Sequence, residues 1–80
     1  MGAVTASRAR STRTVDAVRF LNWSIGDGLR RKREARGLTQ AALARMAGMR
    51  PEVLCRIESG KGNPTVRTIQ RILQAMGYRA

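Results

Sequence analysis

The chain contains no histidine and one cysteine, Cys55, among 80 residues. A single thiol cannot close an internal disulfide, and without histidine it cannot complete a zinc site. The commonest general base is missing, and no side chain titrates near neutrality as a switch. Aromatic residues are reduced to Phe20, Trp23 and Tyr78, too few for the stacking platforms that hold single-stranded nucleic acid. No apolar run is long enough to span a bilayer, and residues 1–13 lack the apolar centre of a secretory signal. Acids are scarce: five, against fourteen arginines and two lysines, for a net charge of +11. These absences predict a cytoplasmic protein that is not an enzyme and carries no metal or cofactor. The charge calls for a polyanionic partner, nucleic acid first. The preference for arginine suits bidentate contacts to phosphate or guanine, and a GC-rich genome would leave the same bias. Eighty residues make one small domain with a marginal core, so self-association is expected.

What is present reads as helices. Residues 1–14 are small, polar and basic without periodicity, and we read residues 1–24 as a flexible basic arm. Within it, Val15, Val18 and Leu21, joined by Phe20, predict a short helix over 15–23, capped by Thr14 and ended by Asn22-Trp23-Ser24. The main domain is expected over 25–77. Its first helix runs from Ile25 to Arg36 and stops at Gly37. Leu38 turns inward, and Thr39 caps a second helix over 40–47 that buries Leu43, Ala44 and Ala47. Gly48 makes a turn. A third helix follows from Pro51 to Ser59, with Glu52 at its positive end and Leu54 and Ile57 facing the core. Gly60 closes it, and Lys61-Gly62-Asn63-Pro64 forms a loop. Thr65 caps a fourth helix striped by Val66, Ile69, Ile72, Leu73 and Met76. Residues 78–80 are a tail. The expected class is all-α.

Arg33, Gly37-Leu38-Thr39-Gln40, Leu43-Ala44, Gly48, Ile57-Glu58, Gly60, Asn63-Pro64 and Ile69 stand in a spacing that resembles the phage-repressor-like helix-turn-helix family, the XRE or Cro/repressor type. The resemblance covers about two thirds of the chain. It implies a lambda-repressor-like fold, a compact bundle of four to five short helices whose second and third helices form the reading unit. It also implies a homodimer on an inverted repeat of double-stranded DNA. Carried over by position, Arg50, Pro51, Glu52 and Arg56 face base edges, with Arg50 in reach of either a base or a phosphate. Arg56 is the candidate bidentate donor to guanine. Glu52 either accepts from a cytosine amino group or steadies the helix start. Pro51 contacts at most a thymine methyl and otherwise starts the helix. Gln40 and Thr39, at the N-terminus of the second helix, are placed at a phosphate. Lys61 and Asn63 are placed at phosphates beyond the reading helix, against a solvated or turn-shaping role. Arg33 and Glu58 form the family's internal ion pair, with Arg33 also leaning toward a phosphate.

Arg30, Arg31, Lys32 and Arg36 make a basic run, read equally as a solvated face. Cys55 is expected to be a small filler beside Leu54, and Met46 an isolated exposed apolar residue. Arg8, Arg10 and Arg13 either track the minor groove or form a plain tail.

The function expected from the resemblance is that of a transcriptional regulator, a repressor that occludes its operator. No effector domain is expected after Gly77. The run Gly62-Asn63-Pro64-Thr65 before a fourth helix is similar to Hip-type antitoxins. It implies an alternative, an antitoxin that binds a protein toxin and autoregulates its operon. The tail to Ala80 is too short for the strand that pairs across such dimers. The apolar Phe20, Leu21 and Trp23 are then the toxin-binding or dimerising element.

Overall fold

Four helices make up the fold in this computed structural model, which describes the backbone of residues 2–79 and the side chains of residues 17–79. They are α1 (Gly2–Ala35), α2 (Gln40–Ala47), α3 (Pro51–Glu58) and α4 (Val66–Ala75). No strand occurs among the described residues.

The first helix departs from the sequence reading. One continuous element of 34 residues replaces the two short helices expected over 15–23 and 25–36. It also takes in the backbone of residues 2–14, while Arg8, Arg10 and Arg13 lie outside the described side chains. The break expected at Asn22-Trp23-Ser24 does not occur. That tripeptide holds neither glycine nor proline, and the turn that follows it is packed against the end of α3.

The core gathers Leu29 from α1, Leu43, Ala44 and Ala47 from α2, Leu54 and Ile57 from α3, and Ile72 and Met76 from α4 and its cap. Ile25, Leu38, Met49, Leu73 and Tyr78 pack around it, half-buried. Helix α3 lies on α1 and α2, and α2 also lies on α4. Val66 falls outside the stripe assigned to it. It is the first residue of α4, beyond the reach of the core, and is 80% exposed.

The turn between α2 and α3 depends on Gly48, whose φ is +70°. There the Gly48 amide donates to the Arg45 carbonyl at 3.1 Å and the Met49 amide to the Ala44 carbonyl at 2.9 Å. This paired closure needs a left-handed residue, a conformation that a Cβ disfavours. The same pair of bonds ends the other three helices. At the opposite ends, Thr39 Oγ1 accepts from the Ala42 amide and Thr65 Oγ1 from the Thr68 amide, as expected of N-caps.

All four members of the basic run have structural partners. Arg36 donates through Nε to the Met76 carbonyl at 2.8 Å, and its guanidinium lies 4.4 Å from the centre of the Tyr78 ring. Lys32 sits over the same ring. They tie α1 to the C-terminal turn of α4, where cations oppose the helix dipole. Arg30 and Arg31 both pair with Asp27 along α1.

Candidate nucleic-acid interface

Helix α3 has eight residues and two unlike faces. Leu54, Ile57 and Glu58 point inward, while Pro51, Glu52, Cys55 and Arg56 are exposed. Arg50 is the N-cap, in extended conformation and without a side-chain capping bond, and Pro51 opens the first turn. Arg50, Glu52 and Arg56 make no side-chain hydrogen bond or ion pair among the described residues. The four residues expected to face bases therefore share one exposed, unengaged surface.

Cys55 belongs to that surface as well and is not a filler. With Leu54 and Ile57 inward, a residue about 100° round the helix from Leu54 must face out. Its spacing of three from Glu52 was the available signal.

Arg56, Lys61 and Asn63 are brought together. They line one open groove between α3 and the start of α4, floored by Val53, Ile57 and Pro64 and rimmed by Thr65 and Thr68. Helix α4 begins there, with Thr65 as its N-cap.

Behind the exposed face, α3 is anchored by a buried network. Arg33 donates to Glu58 through Nε at 2.8 Å and through Nη2 at 3.0 Å, and through Nη1 to the Leu38 carbonyl at 2.7 Å. The side chains of Arg33 and Glu58 are 11% and 2% exposed. The hydrogen bond to Glu58 is the main cause holding the Arg33 pKa above the ordinary arginine value, against the opposing effect of burial. The internal pair expected from sequence is thus present. Three of the five guanidinium N–H groups of Arg33 are engaged in this way, and two remain for other partners.

Gln40 joins this network, which sequence reasoning missed. Its amide donates to Glu58 Oε1 at 2.9 Å. One amide hydrogen and the side-chain oxygen remain for other partners, as does the hydroxyl hydrogen of the capping Thr39.

A second contact that the sequence did not disclose lies at Gly26. It is buried in α1, and a Cβ there would overlap the Ile57 carbonyl oxygen and lie 2.8 Å from that of Glu58. One turn earlier, the Trp23 backbone lies against Gly60. The end of α3 therefore rests directly on the α1 backbone. A buried glycine inside a helix is the only trace such a contact leaves in a sequence.

Residues 29–80 match the Helix-turn-helix family. The chain is also 36% identical over 53 residues to the uncharacterized HTH-type transcriptional regulator y4dJ of Sinorhizobium fredii. That match covers 66% of this chain and 69% of the relative. No solved structure matches significantly.

Proposed function

The chain belongs to the helix-turn-helix family, and on that premise we propose that it is a sequence-specific, double-stranded-DNA-binding transcriptional regulator that represses by covering its operator. The observation that carries this reading is the asymmetry of α3. One face presents Arg50, Glu52 and Arg56 without internal partners. The other is fixed by Arg33, Gln40 and the α1 backbone. A rigid helix with free polar groups on one side fits the major groove, where each base pair displays a distinct pattern of donors and acceptors. Arg56 then pairs with a guanine, and Arg50 and Glu52 read neighbouring edges. Pro51 lies against the groove wall. Thr39, Gln40, Lys61 and Asn63 hold phosphates on either side. Two copies on an inverted repeat match protein symmetry to operator symmetry. The site of action is the cytoplasm.

Selection of bound sites from random duplex DNA at fixed salt tests this reading. An enriched inverted repeat is expected, and salt-sensitive binding without any enriched motif would refute sequence-specific regulation. On the selected site, Arg56→Ala is expected to cost about 1–3 kcal/mol and to relax preference at one base pair. Lys61→Ala weakens all sequences alike and lowers the salt slope by about one. A second reading, an antitoxin that binds a protein toxin and autoregulates its operon, is favoured by one observation, the exposed Phe20 and Trp23 on α1. A stoichiometric complex with the product of an adjacent gene would establish it.

A further inference from the structure

The apolar turn of α1 has no partner among the described residues. Val18, Phe20, Leu21 and Trp23 are 49%, 63%, 56% and 54% exposed. Phe20 and Trp23 pair with each other, ring centres 6.2 Å apart. At 100° per residue, Val18 and Leu21 lie on one side of the helix and Phe20 and Trp23 on the other. A helix apolar on both sides is normally covered.

Charge identifies the cover. Residues 17–29 hold one arginine, Arg19, and one acid, Asp27, and so are neutral, whereas residues 30–79 carry a net +9. This stretch offers nothing to a strongly acidic partner, and it is where two copies of a basic chain approach with least repulsion. It is also self-complementary. Arg19, Trp23 and Asp27 are spaced by four and stand symmetrically about Trp23. A two-fold-related, antiparallel α1 crossing at Trp23 sets each Arg19 opposite the partner's Asp27. Asp27 already holds Arg30 and Arg31, one through each oxygen, and its side chain is 16% exposed, so the partner's Arg19 meets it at its one exposed edge, through a lone pair the intrahelical bonds leave.

We propose that α1 over residues 18–27 is the surface on which a second copy of this chain docks, antiparallel, with Trp23 at the crossing. The inference rests on the dimeric reading given above and names its interface. Area sets its strength. A single crossing at Trp23 covers the Phe20–Trp23 side and leaves Val18 and Leu21 on the far side, so with roughly half of each aromatic still available, from a full burial of about 150–250 Å², the pair covers on the order of 400 Å². A stable interface takes about 1,200–2,000 Å². The free dimer is therefore weak and dependent on concentration, and adjacent half-sites complete it.

Trp23 is the only tryptophan, so its fluorescence reports this face alone. Sedimentation of the full chain and Trp emission are followed together over a wide range of concentration. Expected is a rise from monomer to dimer mass with a matching shift of emission to shorter wavelength. Both are lost in the variant Phe20→Asp, whose helicity matches the wild type. In a second test, Arg19→Asp and Asp27→Arg each weaken self-association when alone, and a mixture of the two restores it, because each like-charged copy then meets its opposite. A monomer at every concentration, a dimer without an emission shift, or a mixture that fails to restore association would overturn the proposal. So would Trp23 burial that occurs only with a different protein bound. If self-association behaves as expected while the chain binds no DNA, the regulatory reading falls and this surface stands. If DNA binding is intact and half-site affinity matches that on the full repeat, this surface falls and the regulatory reading stands.

Discussion

Replacing Glu58 by glutamine is the sharpest test of how α3 is held. The Glu58 side chain is almost fully buried and accepts three hydrogen bonds, two from Arg33 and one from Gln40. Glutamine preserves the volume but brings one oxygen and one amino group to a site lined by donors. Arg33 keeps its bond to the Leu38 carbonyl and loses its counter-charge. Leaving a buried charge without its partner costs about 3–5 kcal/mol, and the oxygen that glutamine retains puts this variant near the lower end. A domain of this length has a total stability of about 4–12 kcal/mol, so a large share is lost. At roughly 4–8 °C per kcal/mol, the melting temperature falls by about 12–24 °C. Urea unfolding followed by helical circular dichroism measures the loss directly. The double variant Arg33→Met, Glu58→Leu should recover most of it, since a buried ion pair exchanged for packed apolar groups is often neutral. A loss below about 1 kcal/mol for Glu58→Gln, the range of exposed pairs, would refute the burial on which the anchoring argument depends.

Three other substitutions probe the scaffold. Gly26→Ala drives a methyl into the backbone carbonyls of Ile57 and Glu58 and should destabilise by about 1–3 kcal/mol or more. Gly28→Ala, two residues on in the same helix and facing open space, should stabilise by about 0.5–1 kcal/mol. Equal effects at the two positions in thermal melts would contradict the close approach of α1 and α3. Thr39→Ala removes the cap of α2 and should lower stability by about 1 kcal/mol in the same melts.

Most of the domain from Gly37 to Gly77 was legible in the sequence because its signals are local. Thr39 and Thr65 cap, glycines with positive φ close each helix, and the core residues of α2 and α3 recur at helical spacing. The errors share a cause: each residue took its role from a contact distant in sequence. Asn22-Trp23-Ser24 looks like a stop, yet α1 continues because its next turn lies on α3. Arg36 looks like a solvated cation, yet its partner is forty residues away. Cys55 was misassigned for a different reason. Small and apolar by type, it suits an interior, yet Leu54, Ile57 and Glu58 already fill the inner side of α3 and leave it outside.

These long-range contacts also determine how α3 meets a ligand. Its restraints are concentrated at its C-terminal end, where Glu58 is held by α1 and α2 and the last carbonyls lie against Gly26. At its N-terminal end the cap is Arg50, which has no side-chain capping bond. The exposed side chains are spaced along the whole helix, so a shift at the anchored end would reorient Glu52 and Arg56 together and not one by one. On the proposed reading of α3, specificity at separate base pairs is then not independent with respect to the anchor. A substitution at Arg56 alters one contact, whereas loosening Glu58 or crowding Gly26 should weaken every base contact at once while leaving base preferences in the same order. Binding by Gly26→Ala to a panel of single-base operator variants, at a temperature where the variant is folded, measures this. A change of preferred base at one position only would show that α3 side chains adjust independently of the α1 contact, and the coupling inferred from the Gly26 geometry would be wrong.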